Sequence, residues 1–199
     1  MELLLIRHGL PRRVENATGP ADPPLTELGH RQAEAMASWL ADDGIAAVYV
    51  SPLVRARETA AALELRLGLR AEIVDGIAEF DRDERSYVPI EELRATKDPR
   101  WFALASASGG EERRAWHQRA VDALEGLVAA HPGRRVAAVC HGGVINTYVC
   151  HVIGLEPRLF FEPRYCSVHR VLAASSGERS LLALNESPFL RGLEAPGAR

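Results

Sequence analysis

Short apolar runs alternate with longer amphipathic stretches along most of the chain. Strands are predicted at residues 3–6, 46–50, 72–74 and 135–140. Helices are predicted where apolar residues recur at helical spacing: after Thr26, after Ser51, around residues 116–128 and over residues 144–153. Because strands alternate with helices, the pattern predicts an α/β sandwich with a mainly parallel sheet and right-handed crossovers.

Capping residues indicate where two of these helices begin. Thr26 is expected to cap the first helix, because a hydroxyl at this position accepts a hydrogen bond from a free N–H group of the first turn. Ser51 is expected to cap the second helix, with Pro52 at its first position, where the missing N–H is tolerated.

The later part of the chain departs from this alternation. Two further strands are predicted at residues 167–173 and 180–184. Around residues 80–110 acidic, arginine and aromatic residues are mixed without a clear period, so a small, irregular and partly helical insertion is expected. No repeat or linker divides the chain, which predicts a single domain over residues 1–199 with a frayed tail beyond Arg191.

Composition excludes several classes of protein. With 199 residues, 47% hydrophobic and 26% charged, the chain resembles a soluble globular protein, not a disordered or collagen-like one. A net charge of −3 gives no general attraction to nucleic acid. Three cysteines do not indicate a disulfide framework. The apolar run at residues 3–6 is too short for a signal peptide or a membrane span, so a cytoplasmic protein without membrane contact is expected.

Charged and titratable residues lie at the ends of the first four predicted strands or a few residues beyond them. Arg7 and His8 follow the first strand, Arg55 the second, Glu79 the third and His141 the fourth. Ligands of such sheets bind beyond the carboxyl ends of the strands, so one pocket is expected to gather these residues. Arginines bind phosphate oxygens, a neutral imidazole can attack phosphorus, and a carboxyl group can protonate a leaving oxygen.

Each of these residues also fits an ordinary structural role when it is taken alone. A single histidine at a strand end is more often a satisfied core residue than a catalyst, and an arginine on a helix is usually solvated. A metal site is not indicated, because the histidines lack the spacings of common zinc motifs. The combination at neighbouring strand ends therefore matters more than any one member.

The segment Arg7-His8-Gly9 resembles the RHG signature of the histidine phosphatase superfamily, which has the phosphoglycerate-mutase-like fold. Four further segments resemble those of the family in the same order: PLTELG at 24–29, SPLVRARETA at 51–60, GGE at 109–111 and VCHGG at 139–143. The resemblance implies a three-layer α/β/α sandwich whose central sheet is mixed but mainly parallel.

The same resemblance assigns roles to residues of this chain. It implies that His8 is the nucleophile that becomes phosphohistidine. It also implies that the phosphoryl group is held by Arg7, His8, Arg55, His141 and Gly142. Glu79 is implied as the proton donor and then as the base for water, although Glu84 and Asp81 lie close enough in the sequence to be alternatives.

The chain departs from the family pattern on the side of the leaving group. Leu10-Pro11 follows the signature where relatives often have a polar pair, and Asn16 is slightly out of register with a family asparagine. Arg12 and Arg13 are candidates to replace that contact, and Arg82 of the insertion is a further candidate on this side.

The resemblance implies hydrolysis of a small phosphorylated metabolite, with inorganic phosphate as a product and neither cofactor nor metal. Two alternatives stay open: phosphoglycerate mutase-type phosphoryl transfer and a non-catalytic module that binds a phosphorylated ligand. The insertion is modest, and hydrolysis is favoured because a mutase must keep water from its intermediate. A monomer or a homodimer is expected.

Overall fold

The computed structural model describes residues 1–101 and 110–193, and six strands within these ranges form one sheet. The strands are β1 (Glu2–Arg7), β2 (Ala47–Val50), β3 (Ala71–Ile73), β4 (Arg135–Cys140), β5 (Val168–Ala173) and β6 (Arg179–Glu186). The helices with described bounds are α1 (Glu27–Trp39), α2 (Val54–Leu67), α3 (Ile90–Ala95), α4 (Glu111–Ala130) and α5 (Gly142–Ile153). Short 3₁₀ turns lie at Asp75–Ile77, Phe80–Asp83 and Pro188–Leu190.

The sheet has the order β3-β2-β4-β1-β5-β6, which places β1 near its middle. The strands β3, β2, β4 and β1 are parallel, whereas β5 runs antiparallel to both β1 and β6. The predicted α/β sandwich with a mixed, mainly parallel sheet is therefore confirmed. Because the parallel strands point the same way, the residues that follow β1, β2 and β4 meet at one edge.

The two faces of the sheet are covered by different helices. Leu3 and Leu5 of β1 belong to a core cluster with residues of α4 and α5, whereas Leu4 and Ile6 belong to a cluster with residues of α1 and α2. All four side chains are fully buried, which explains the continuous apolar run in this strand. No helix in the described ranges is long and apolar enough to cross a membrane.

The helix starts match the sequence at α1 but not at α2. Thr26 caps α1 as predicted, since its Oγ1 accepts from the Gly29 N–H at 3.0 Å. The predicted start of α2 is wrong, because the helix begins at Val54 and Ser51 does not cap it. Instead the Val54 N–H donates to the Asp22 carboxylate at 2.9 and 3.1 Å. A residue far away in the sequence thus replaces the local cap.

The first turn of α1 lies against the loop that follows β1. A Cβ atom on Gly9 would come within 2.6 Å of the Gly29 carbonyl oxygen, and a Cβ on Gly29 would overlap the Leu10 carbonyl. No side chain fits at either position, so both glycines are needed for this close approach. The contact fixes the direction in which the chain leaves β1, and with it the position of His8.

The described part of the insertion is partly helical, as predicted. It contains the 3₁₀ turn Phe80–Asp83 and helix α3, and a bridge between Val14 and Tyr87 joins it to the loop after β1. Residues 102–109 of the predicted insertion and the predicted frayed tail from residue 194 lie outside the described residues.

Candidate active site

The predicted strand-end residues come together at the carboxyl edge of the sheet. A cavity of about 400 Å³ is lined there by Arg7, His8, Arg55, Glu79 and Gly142, among others. His141 is buried beside it, with its ring centroid 5.1 Å from that of His8. These residues come from segments that are far apart in the sequence, and the order of the strands in the sheet brings the segments together.

His8 is held in one tautomer by the backbone. Its Nδ1 lies 2.8 Å from the Gly9 carbonyl oxygen, which can only accept, so Nδ1 carries the proton and Nε2 carries the lone pair. Burial, with the positive charges of Arg55 and Arg7, lowers the pKa of His8 well below its usual value. The imidazole is therefore neutral and nucleophilic at neutral pH.

Arg7 is fixed on three sides. Its Nη1 donates to Glu91 Oε1 at 2.8 Å and to the Pro163 carbonyl at 2.5 Å, and its guanidinium lies 3.8 Å from the Tyr165 ring centroid. The Tyr165 hydroxyl donates to the other oxygen of Glu91 at 2.7 Å. Burial opposes the charge on Arg7, but Glu91 outweighs it and the pKa of Arg7 is raised. The cation is thus permanent and its orientation is set.

Arg55 is buried to 1% exposure in the first turn of α2. Its Nη2 donates to Asp81 Oδ1 at 2.9 Å, and its guanidinium lies 4.6 Å from the Tyr87 ring centroid. Burial opposes the charge, yet the neighbouring Asp81 keeps the pKa of Arg55 above its usual value. A second permanent cation therefore faces His8.

His141 contacts Ser51 through Nε2, which lies 2.7 Å from Oγ. Ser51 Oγ accepts from the Leu53 N–H at 3.3 Å and, as a hydroxyl, can also give its own hydrogen to Nε2. In that tautomer Nδ1 of His141 holds the ring proton and is a donor. Burial, with Arg55, His8 and Arg7, lowers the pKa of His141 well below its usual value. It therefore contributes a neutral hydrogen-bond donor rather than a charge.

Buried polar atoms without a partner are concentrated in this site. In the described part of the chain they are Nε of Arg7, Nε and Nη1 of Arg55, and Nδ1 of His141. Buried polar groups are nearly always hydrogen-bonded, so a group of converging donors indicates a ligand with several acceptor oxygens. The first-turn amides of α5, directly after His141, add the positive end of a helix dipole.

Glu79 is the carboxyl group best placed to exchange a proton here. Its oxygens accept from the Phe80 N–H at 3.0 Å and from the Gly143 N–H at 2.8 Å. Burial and the nearby charge of Asp81 raise the pKa of Glu79 despite these bonds. Of the two alternatives, Asp81 is in an ion pair with Arg55, and Glu84 is exposed and does not line the cavity.

Close packing holds Glu79 in place. Trp116 donates its indole N–H to the Ala78 carbonyl at 2.8 Å. A Cβ atom on Gly143 would overlap the Glu79 carboxylate, so a side chain at this position would displace that carboxyl group. The Thr59 hydroxyl accepts from the Gly9 N–H at 2.9 Å and donates to the Arg55 carbonyl at 2.7 Å. It thereby links the two segments that carry His8 and Arg55.

The remaining wall of the cavity, called the far wall below, is mainly apolar and comes from the insertion, α4 and the loop at residues 157–163. The residues lining it include Phe80, Val88, Ile90, Trp101, Arg113, Trp116, His117, Arg158, Leu159 and Phe161. None of the four residues proposed for this side from the sequence is among them. Arg13 forms ion pairs with Glu15 and Glu92, Arg82 forms one with Asp75, and Arg12 and Asn16 are exposed.

Several contributors to the site were not singled out from the sequence. Ser51 and Thr59 lie within the segment that resembles the family, and their hydroxyl groups could have been chosen there as candidates for hydrogen bonds within the site. Glu91 and Tyr165 have no such signal, because their roles depend on how the insertion packs against the end of the chain. No group of His, Cys, Asp and Glu residues in the described ranges could hold a metal ion.

Comparison with known proteins identifies the family of this chain. The model of the histidine phosphatase superfamily (branch 1) matches residues 3–187. The chain therefore belongs to the histidine phosphatase superfamily.

Individual relatives agree with this family. The chain is 32% identical over 162 residues to a metal-independent phosphoserine phosphatase of Arabidopsis thaliana, covering 73% of this chain and 66% of the relative. It is 27% identical over 183 residues to a probable phosphoglycerate mutase, GpmB, of Yersinia enterocolitica, covering 86% and 84%.

Solved structures confirm the phosphoglycerate-mutase-like fold. A mycobacterial glucosyl-3-phosphoglycerate phosphatase superposes with a TM-score of 0.75 at 24% identity, over 94% of this chain and 99% of that one. A phosphoserine phosphatase mutant of Entamoeba histolytica in complex with phosphoserine gives 0.74 at 22% identity, over 95% and 98%.

Proposed function

We propose that this chain hydrolyses the phosphomonoester of a small metabolite through a phosphohistidine formed on His8. The observation that carries the proposal is the group of buried nitrogens without a hydrogen-bond partner on Arg7, Arg55 and His141, three side chains that lie near His8. A phosphoryl group supplies the acceptor oxygens that these donors lack. The phosphatases among the relatives support the same chemistry.

In the first step Nε2 of His8 attacks phosphorus and the ester P–O bond breaks. Arg7 and Arg55 stabilise the charge on the phosphoryl oxygens as the loose transition state develops, and the proton on His141 Nδ1 adds a hydrogen bond. Glu79, whose raised pKa keeps a proton available, gives that proton to the departing oxygen. The alcohol leaves and the phosphoryl group stays on His8.

In the second step water attacks the phosphohistidine. Glu79, now a carboxylate, takes a proton from the water, and the N–P bond breaks to release inorganic phosphate. His8 regains its lone pair and Glu79 its proton, so both residues return to their starting state. Two arginines supply positive charge throughout, and the proposed mechanism uses no metal. Activity is accordingly expected to survive EDTA without added magnesium; a requirement for a divalent ion would contradict this mechanism.

The decisive experiment traps the intermediate. Wild-type protein incubated briefly with a radiolabelled phosphomonoester and quenched in base is expected to hold label that acid removes, as for a phosphohistidine. His8→Ala is expected to lose both the label and turnover, by about 10⁴-fold or more, since a nucleophile works as a unit with its partners. His30→Asn, at an exposed histidine, is the matched control and keeps both.

The products separate the remaining alternatives. Release of inorganic phosphate supports the hydrolase, whereas an isomerised phosphate ester indicates a mutase like the one named among the relatives. Binding of phosphate without any label on His8 would instead indicate a non-catalytic module and would overturn the proposal.

A further inference from the structure

Two positive charges on the far wall of the cavity have no carboxylate partner within the described ranges. Arg113 lies in the first turn of α4 and Arg158 in the loop after α5, and both line the cavity that contains His8. By contrast, Arg7 and Arg55 at the reacting end are each in an ion pair. The far wall therefore has cationic groups that are free to bind an incoming anion.

Arg113 lies over an aromatic ring of the same wall. Its guanidinium is 4.4 Å from the ring centroid of Phe80, the residue whose N–H donates to Glu79. The first turn of a helix favours acidic residues, as Glu111 and Glu112 illustrate, and disfavours a cation. Helix stability therefore does not account for an arginine at this position, whereas contact with a ligand does.

His117, one turn further along α4, adds no charge to this wall. Burial and the charge of Arg113 lower the pKa of His117 to about 4, so the ring is neutral at pH 7. Its Nδ1 lies 2.7 Å from the Thr147 hydroxyl, which fixes the ring. Recognition of an anion on this wall therefore depends on the two guanidinium groups.

Flat apolar side chains line the same cavity as the two guanidinium groups. Phe80 and Trp116 pack edge to face with ring centroids 5.7 Å apart, and Trp101 and Phe161 line the same cavity. Aromatic walls favour a ligand with a flat apolar body, because such a body buries apolar area and stacks on ring faces.

We propose that the cavity selects phosphomonoesters whose leaving group has a flat apolar body and a carboxylate at its far end, bound by Arg113 and Arg158. The inference rests on the proposed hydrolase and adds its substrate class. A guanidinium group matches a carboxylate with two parallel hydrogen bonds and sheds its water more readily than an ammonium group. The phosphoryl group and the carboxylate would then be held at opposite ends of one cavity.

Two esters of equal shape test this inference. 4-Carboxyphenyl phosphate and 4-carbamoylphenyl phosphate differ at the far end only in charge. The wild type is expected to favour the carboxylate by about tenfold in kcat/KM, the size of one well-made ion pair. Arg113→Gln and Arg158→Gln are each expected to bring this ratio down toward one. Arg119→Gln, also on α4 but outside the cavity, keeps the ratio and is the matched control.

Equal kcat/KM values for the two esters in the wild type, or a ratio that neither variant changes, would overturn the inference while leaving the hydrolase intact. Binding of the matching benzylphosphonates, measured by calorimetry, gives the same comparison without turnover. If neither ester is hydrolysed but the carboxylate analogue binds more tightly in an Arg113-dependent way, the hydrolase fails and the anion site stands. Equal binding of both analogues would overturn the site as well.

Discussion

The two ends of the cavity are built in opposite ways. At the reacting end each cation has a partner: Arg7 is fixed by Glu91 and a carbonyl, and Arg55 by Asp81. At the far end Arg113 has only an aromatic ring beneath it, and Arg158 is exposed without an ion-pair partner among the described residues. The cations of the reacting end, called the braced end below, are held in place by protein groups before any ligand binds. Within the described ranges, the cations of the far end are not held by such groups and are left to bind the ligand.

This difference indicates how one scaffold separates chemistry from selectivity. Stabilising a transition state requires groups that do not have to reorganise during the reaction, and bracing provides that. Distinguishing one leaving group from another requires only that a few side chains at the far end change. The cations of the first end lie at the end of β1 and in the first turn of α2 and are held by residues of the insertion. The second end is formed by the insertion, α4 and the loop at residues 157–163.

After His8→Ala, the largest loss of turnover is expected for Glu79→Gln at the braced end. Loss of a general acid typically costs about 10²–10⁴-fold, and the loss is expected for alkyl esters, whose alkoxide leaves poorly without a proton. Nitrophenyl phosphate, which needs no proton, is expected to give a burst of nitrophenol followed by slow turnover. Rapid-quench and steady-state assays measure both.

Glu84→Gln, at an exposed carboxyl group outside the cavity, is the matched control and is expected to leave both esters unaffected. An equal loss for alkyl and aryl esters in Glu79→Gln, with no burst, would remove Glu79 from the role of acid.

Arg55→Ala is expected to slow turnover by about 10²–10³-fold, because a fixed donor to the transition state is lost. Phosphate is expected to protect the wild type from thermal unfolding by mass action and to protect this variant much less. Arg57→Ala, on the same helix, is the control. Equal protection of all three proteins would show that the anion binds elsewhere.

A smaller effect, about tenfold, is expected for Glu91→Gln. The amide oxygen can accept from Arg7, but the amide nitrogen cannot accept from Tyr165 as the second carboxylate oxygen does. The guanidinium keeps its charge but is held less firmly, so misplacement slows the reaction. The change is expected in kcat more than in KM, since the interaction matters most in the transition state. Glu92→Gln, at the exposed neighbour, provides the baseline. A loss confined to KM would show that Glu91 affects binding only.

The last prediction concerns the free energy of unfolding at low pH. Burial lowers the pKa of His8 and His141 in the folded state, and burial with Arg7 lowers the pKa of His169 to about 3. The unfolded chain takes up protons at these histidines near pH 6.5 while the folded chain does not. The free energy of unfolding is therefore expected to fall as pH drops below about 6.5, by up to about 1.4 kcal/mol per pH unit for each histidine.

Urea unfolding at a series of pH values measures this slope. His169→Gln is expected to reduce the slope by about one proton. A stability that is flat between pH 7 and pH 5 would contradict the neutral, buried state of these rings.

The braced end was largely predictable from the sequence, and the far end was not. Arg7, His8 and His141 follow buried strands directly, so the strand assignment alone placed them at one edge of the sheet. Arg113 and Arg158 sit in segments whose positions depend on tertiary packing, and no local pattern marks them.

The start of α2 shows the same limit on a smaller scale. Ser51-Pro52 is a good local signal for a helix start, yet Asp22 caps Val54 and releases the Ser51 hydroxyl for His141. The preference of Ser51 for a helix start was overridden because Asp22, distant in the sequence, caps the helix, while the Ser51 hydroxyl contacts His141. Which of the two contacts the Ser51 hydroxyl makes depends on the tertiary structure and cannot be read from the local sequence.

The place of β1 in the sheet has a consequence for how the chain folds as it is synthesised. β1 leaves the ribosome before the other five strands, but its two neighbours in the sheet, β4 and β5, are made only at residues 135–140 and 168–173. Until then the apolar segment Leu3–Ile6 has no strand to pair with and is open to association with other chains. Such long-range pairing slows folding. A nascent chain therefore cannot assemble the pocket around His8 before most of the protein exists, and truncations ahead of β5 are expected to aggregate.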